Sequence, residues 1–200
     1  MSVFLLHSKT AWNDYFTGTY STNLNSQTFT SRRNPSGTGV YVSNCLFRSI
    51  TSTSDNGGAL SCSSATYFLV ESSSFFSCKT SSGYGGAIFF SNSGGQSVLY
   101  EVCGYDCCTT GGYSYQFAYI FVGNVASSKN YFNYSSISRC VNEVSGSGYI
   151  LGLCWGKTFC PSVNISLNKC NHHSGICCWP TFDSNYVTGS FTYSSFTDNN

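Results

Sequence analysis

Eight carboxylates are the only acidic side chains available for catalysis: Asp14, Asp55, Glu71, Glu101, Asp106, Glu143, Asp183 and Asp198. Glycoside hydrolysis needs two of them flanking one bond. Polysaccharide lyase chemistry needs acidic calcium ligands and a basic proton acceptor, and Arg32, Arg33, Arg48 and Arg139 are the only arginines. Glu71 and Glu101 stand 30 residues apart. In a chain that repeats at about that period they stack on neighbouring strands, which makes them the best catalytic pair on offer. Like charges stacked across a sheet are destabilising unless screened or functional, so a solvated outer face accounts for them more simply.

The second candidate chemistry is metal binding. Cys170, His172, His173, Cys177 and Cys178 are zinc-type ligands in one short segment. Their spacing is not a paired C-x-x-C pattern, and His172 and His173 would point to opposite faces of a strand. A corner loop would bring them together; a solvated turn is the simpler reading. Gly152 to Thr158 resembles a phosphate loop only in part. Three residues separate Gly152 from Gly156 where a Walker A loop has four, and Phe159-Cys160-Pro161 follows where a helix is required. Gly146-x-Gly148-x-x-Leu151 lacks the third glycine of a dinucleotide fingerprint, and no G-x-S-x-G elbow occurs. Trp155 and Trp179 offer flat rings on which a sugar could stack, although most of the 15 Tyr and 16 Phe must fill a core. The sequence predicts no cofactor.

The elements that must carry these residues are strands. Among 200 residues there are 37 Ser and 18 Thr, but only six Ala, three Glu and five Lys. Hydroxyl, β-branched and aromatic residues favour pleated strands and turns over helices. At 41% hydrophobic the chain can build a core. Nine basic against eight acidic side chains leave a net charge of +1, which supplies no field for nucleic acid or an anionic membrane. Val3 to Leu6 is too short for the apolar core of a signal peptide, and no stretch reaches the length of a membrane span. Twelve cysteines favour an oxidising compartment, so the indications of location conflict. If the chain is secreted, Asn133-Tyr-Ser and Asn164-Ile-Ser are glycosylation sequons.

The chain repeats. Leu46-x-x-Ser49, Phe75-x-x-Cys78, Gly104-x-x-Cys107, Ile137-x-x-Cys140, Leu167-x-x-Cys170 and Phe196-x-x-Asn199 follow one another at intervals of 29, 29, 33, 30 and 29 residues. Between them lie Gly57-Gly58-Ala-Leu60 and Gly85-Gly86-Ala-Ile88, 28 apart, with weaker echoes at Gly111-Gly112 and Gly175-Ile176. Short apolar runs separated by Ser, Gly and Asn turns make each unit about three strands, one coil of a β-solenoid. Stacked coils lie ~4.8 Å apart, so equivalent side chains form ladders. The leading apolar residue fills the core; the small or amide residue three places later sits at a bend; the paired glycines mark another corner. Cys78, Cys107, Cys140 and Cys170 then share one ladder. Buried thiols suit it, disulfides between coils are geometrically allowed, and metal binding is the third alternative.

With both markers in phase, the chain resembles the polymorphic membrane proteins. Gly57-Gly-Ala-Leu60 and Gly85-Gly-Ala-Ile88 match their GGA[ILV] tetrapeptide, and Phe196-Thr-Asp-Asn199 matches their FxxN. It also resembles large paralogous sets of β-helix proteins in some anaerobic parasitic protists, where Cys often replaces that Asn. The resemblance covers residues 40–200. It implies an all-β, single-stranded right-handed parallel β-helix of five to six coils, residues 41–200, behind an N-terminal cap or irregular first coil in 1–40. It also implies a surface-exposed, adhesin-like or antigenic role; the in-phase repeat without a catalytic signature adds the expectation of a non-catalytic module that binds a host-surface, matrix or glycan partner. The alternatives are a polysaccharide-active lyase or glycosidase and a fragment with a structural role only. On this register the chain ends in mid-coil, as expected of a fragment of a longer protein.

Overall fold

A computed structural model describes residues 12–53, 55–111, 115–140, 148–169, 173–183 and 188–199. Within them the chain winds as a parallel β-solenoid, as the repeat predicts. The first wall holds seven strands: Thr22–Asn25, Gly39–Ser43, Tyr67–Glu71, Gln96–Tyr100, Lys129–Asn133, Lys157–Pro161 and Gly189–Thr192. The second holds another seven: Thr28–Phe29, Leu46–Arg48, Ser74–Phe76, Cys103–Tyr105, Ser136–Ser138, Asn164–Ser166 and Ser195–Thr197. The third holds five: Leu60–Cys62, Ile88–Ser91, Ala118–Phe121, Tyr149–Cys154 and His173–Trp179. A narrow sheet of Thr51–Ser52, Lys79–Thr80 and Cys108–Thr109 joins the second wall to the third.

Alternation along each strand separates core from surface. In the second wall Phe29, Phe47, Phe75, Gly104, Ile137, Ile165 and Phe196 stand in register. The Phe47 and Phe75 rings stack with centroids 4.7 Å apart and planes within 3°. This register corrects two anchors expected from the sequence. Leu46 pairs with Thr28 and Ser74 on the outer face, one residue before the core position. Leu167 sits at a corner with φ +57°, 47% exposed, two residues beyond Ile165. The ladder that follows the anchors is therefore Ile50, Cys78, Cys107, Cys140, Asn168 and Asn199, with Asn168 in the place expected for Cys170. Cys170 itself lies outside the described residues.

One set of contacts explains why both Cys and Asn occupy that ladder. Asn168 Oδ1 accepts the Cys140 N–H at 2.9 Å, and its Nδ2 donates to the Ile137 carbonyl at 3.1 Å. Asn199 repeats this with the Asn168 N–H and the Ile165 carbonyl. The thiol sulfurs of Cys78, Cys107 and Cys140 take the N–H groups of Ile50, Cys78 and Cys107. Cys78 and Cys107 donate back to the carbonyls of Phe47 and Phe75. A thiol is both a weak donor and a weak acceptor, so it substitutes for a carboxamide. All eleven described cysteines are free thiols.

At the other bend of this wall Cys45, Ser73, Val102, Ser135, Val163 and Ser194 alternate apolar with Ser. Each serine hydroxyl accepts the N–H of the apolar residue one coil below, Cys45, Val102 or Val163. The glycine corner behaves as its residues predict. Gly57 and Gly85 have φ of +73° and +72°, where a Cβ is strained. Gly58 and Gly86 have no such φ but lie against backbone: a Cβ on Gly86 would meet the Cys108 carbonyl at 2.5 Å.

The N-terminal region divides. Thr22–Asn25 and Thr28–Phe29 already belong to the first coil, whereas the helical turn Trp12–Tyr15 lies on the outside of the first wall. There Trp12 and Phe16 bury the outward Tyr41, Leu69 and Val98. The segment thus covers a flank of the solenoid, a position that composition did not indicate.

Candidate functional site

A shallow groove of about 490 Å³ runs along the junction of the first and second walls, lined by Ser26, Gln27, Thr28, Asn44, Cys45, Leu46, Ser72, Ser74 and Phe76. Its lining follows from the coil geometry. Ser26, Asn44, Ser72, Glu101, Tyr134, Ser162 and Tyr193 are equivalent corner residues, all with φ between +44° and +54°, and each turns its side chain outward from the bend. Thr28, Leu46, Ser74, Cys103, Ser136, Asn164 and Ser195 form the next outward column. Beyond them Arg48, Phe76, Tyr105 and Ser138 line a third. The Phe76 and Tyr105 rings lie on adjacent coils 5.9 Å apart, 39% and 37% exposed. Hydroxyls, amides and the Phe76 ring thus line one groove across three coils. A second open groove, of about 460 Å³, includes Arg32, Asp55, Asn56 and Phe89. Its arginine is engaged: Arg32 bonds Asp55 at 3.1 Å and donates to the Gly57 and Asn56 carbonyls.

The two candidate carboxylates do not share a ladder. Glu71 pairs with Tyr100 in the first wall, and Glu101 is the corner residue after it. Their 30-residue spacing is one more than the 29 of that coil, so the chain carries them into neighbouring columns. Glu71 Oε2 accepts the phenol of Tyr41. Burial, and then the Glu71 carboxylate, hold that phenol well above its usual range, so it stays a donor. Glu101 Oε2 accepts the Ser72 hydroxyl at 2.8 Å, which places it at the rim of the first groove.

Of the metal candidates, Cys170 and His172 lie outside the described residues. His173 is a strand residue paired with Tyr149. Cys177 faces outward beside Gly152, while Cys178 pairs with Leu153 in the core column. The two neighbouring thiols therefore point to opposite sides of the wall. Among the described residues no group of three His, Cys, Asp or Glu side chains could hold a metal ion, and no helix is long and apolar enough to cross a membrane.

The sequons also separate. Asn164 is exposed on the outer face of the second wall. Asn133 is buried, with its Nδ2 donating to the Tyr15 phenol at 3.1 Å, so the folded chain does not present it to a glycosyltransferase. Trp155 packs partly on the core, and Trp179 is exposed on the third wall, away from the groove. The sequence reading does not single out Phe76, which lines the groove, or its outward neighbour Tyr105. The signal for them was period-two alternation: each directly follows an anchor, Phe75 or Gly104, and so must face outward. Comparison with protein-family models, curated proteins and solved structures returns no match.

Proposed function

We propose that this chain is a non-catalytic solenoid module of the surface-adhesin kind, and that the groove between its first and second walls binds an uncharged, hydroxyl-rich partner such as a neutral glycan. The observation that carries this reading is the lining: Ser26, Gln27, Thr28, Asn44, Ser72 and Ser74 beside the exposed Phe76 ring, with no charged side chain among the lining residues. Hydroxyl and amide groups offer paired donors and acceptors to sugar hydroxyls, and aromatic faces pack on apolar sugar faces. The direct test is binding of purified protein to immobilised neutral and acidic polysaccharides. Retention on neutral chains that Phe76→Ala weakens at least tenfold is expected; equal binding by the variant removes this groove. Labelling of intact cells tests surface display, which buried, unlabelled protein would refute.

One contact favours a second reading, a polysaccharide-active enzyme. Glu101 stands at the groove rim on a hydrogen bond from Ser72, where it could act on a bound chain. Incubation with the same polysaccharides and assay for new reducing or unsaturated ends decides between the two. Turnover that Glu101→Gln abolishes establishes the enzyme; binding without turnover leaves the adhesin.

A further inference from the structure

The inner column of the first wall changes chemistry partway along the solenoid. Val40 and Phe68 are followed in register by Ser97, Asn130 and Thr158. These three are at most 1% exposed. Yet Ser97 Oγ, Asn130 Oδ1 and Thr158 Oγ1 have no hydrogen-bond partner among the described residues. The Asn130 carboxamide is not free to turn, because its Nδ2 donates to the carbonyls of Cys154 and Trp155 at 3.1 and 3.2 Å. Its oxygen is thereby committed to the opposite side. Buried polar atoms in folded proteins are almost always paired, so three consecutive orphans in one ladder call for a common partner.

Spacing identifies that partner. Equivalent atoms on adjacent coils lie ~4.8 Å apart, beyond the ~3.0 Å limit of a direct O–H···O bond but within the reach of two such bonds of ~2.8 Å each. Phe68 stacks on Phe90 at 4.9 Å with planes within 1°; in the coils above, Ser97, Asn130 and Thr158 take the place of that first ring. The oxygens are neutral, two hydroxyls and an amide, and lack the carboxylates that a divalent cation requires.

We propose that ordered water bridges this column, one molecule between Ser97 Oγ and Asn130 Oδ1 and one between Asn130 Oδ1 and Thr158 Oγ1. Each hydroxyl donates to or accepts from its water, and the two lone pairs of Asn130 Oδ1 accept one hydrogen from each. The site is internal to the solenoid and independent of the outer groove.

A high-resolution crystal structure of the full chain, combined with water relaxation dispersion in solution, tests this. Density is expected in both gaps at hydrogen-bonding distance, together with long-lived internal water in solution. The near-isosteric Thr158→Val should lose the water beside Thr158 and keep the other; Ser97→Ala should do the reverse. Empty gaps, direct side-chain contacts between these residues, or an ion with an anomalous signal in the wild-type crystal would each overturn the proposal. Because the wild-type crystal alone can decide against it, a variant that fails to fold leaves it open to refutation.

Discussion

The ring of Phe117 occupies the space that a side chain at Gly104 would need: a Cβ built there collides with Cε2 and Cδ2 of that ring. Gly104 is an anchor position, held elsewhere by Phe or Ile, and Phe117 stands where the two preceding coils carry Ala59 and Ala87. The column loses a large group on one side and regains it from the other. Next to it, Ala118 stands in register with the Ile88 of the coil below. Gly104→Ile should be severely destabilising alone, and Phe117→Ala should cost about 3–5 kcal/mol through the cavity it leaves. At these two positions the double variant restores the large anchor and Ala of the two preceding coils, Phe47 with Ala59 and Phe75 with Ala87. Chemical denaturation of all four proteins should give a favourable coupling above ~1 kcal/mol; additive losses would mean the two sites are not complementary.

Gly86 tests the glycine corner without appeal to φ. Its missing side chain lets the Cys108 and Gln116 carbonyls approach. Gly86→Val should therefore cost upwards of ~3 kcal/mol, at the large end of single substitutions. Gly94→Ala is the control, because its Cβ would meet only Asn92 Oδ1 at 3.7 Å, and its urea midpoint should barely move.

Asn168 measures how well a thiol replaces an amide. Asn168→Leu removes the acceptor for the Cys140 N–H and the donor to the Ile137 carbonyl, a loss of about 1–3 kcal/mol for the orphaned groups. Asn168→Cys keeps both functions in the form used by Cys78 and Cys107, and its stability should lie clearly nearer wild type. Equal losses for Leu and Cys would show that the ladder sulfurs only fill volume.

Stability should fall on the alkaline side. Burial pushes Cys154 up to about 11 and Cys160 up to about 12 from an ordinary 9.0, and Tyr119 up to about 12 from 10.0. The folded state thus holds these protons after the unfolded chain has released them. Their stabilising effect is complete below pH 9 and is lost as pH rises towards 11–12, by about 1.4 kcal/mol per pH unit for each ionising group. Urea midpoints from pH 7 to 12 should be level and then decline, and Cys160→Val should flatten part of the decline.

Expression through a secretory pathway should glycosylate Asn164 and spare Asn133, because only the first faces solvent. Intact-mass measurement before and after glycosidase treatment reads the outcome, and a glycan on Asn133 would place the Tyr15 contact in doubt.

Much of the fold was legible in the residues. Gly57-Gly58-Ala59 and Gly85-Gly86-Ala87 are fixed by backbone constraints that only glycine meets, so they can be read without coordinates. Phe75, Ile137 and Phe196 followed from the period. Phe47 and Ile165 did not, because Leu46 and Leu167 stand within two residues of them and hydrophobicity alone cannot choose which face turns inward. That choice depends on where the corner falls, and a single left-handed residue moves it. The groove was illegible for a related reason: Ser26, Asn44, and Ser72 with Phe76 come from three successive coils and share no motif.

The sequence by itself determined that the chain coils, at what period, and that its composition suits stacked strands, because ladder packing repeats the same local demand in every turn. Only the tertiary structure decided register and sidedness. It set Glu71 and Glu101 in neighbouring columns, buried Asn133, turned Cys177 and Cys178 apart and brought Trp12 onto an outer wall. The physical reason is the two-residue alternation of a strand: a shift of one position exchanges inside for outside, and contacts between residues thirty apart, more than energies within a turn, fix that shift.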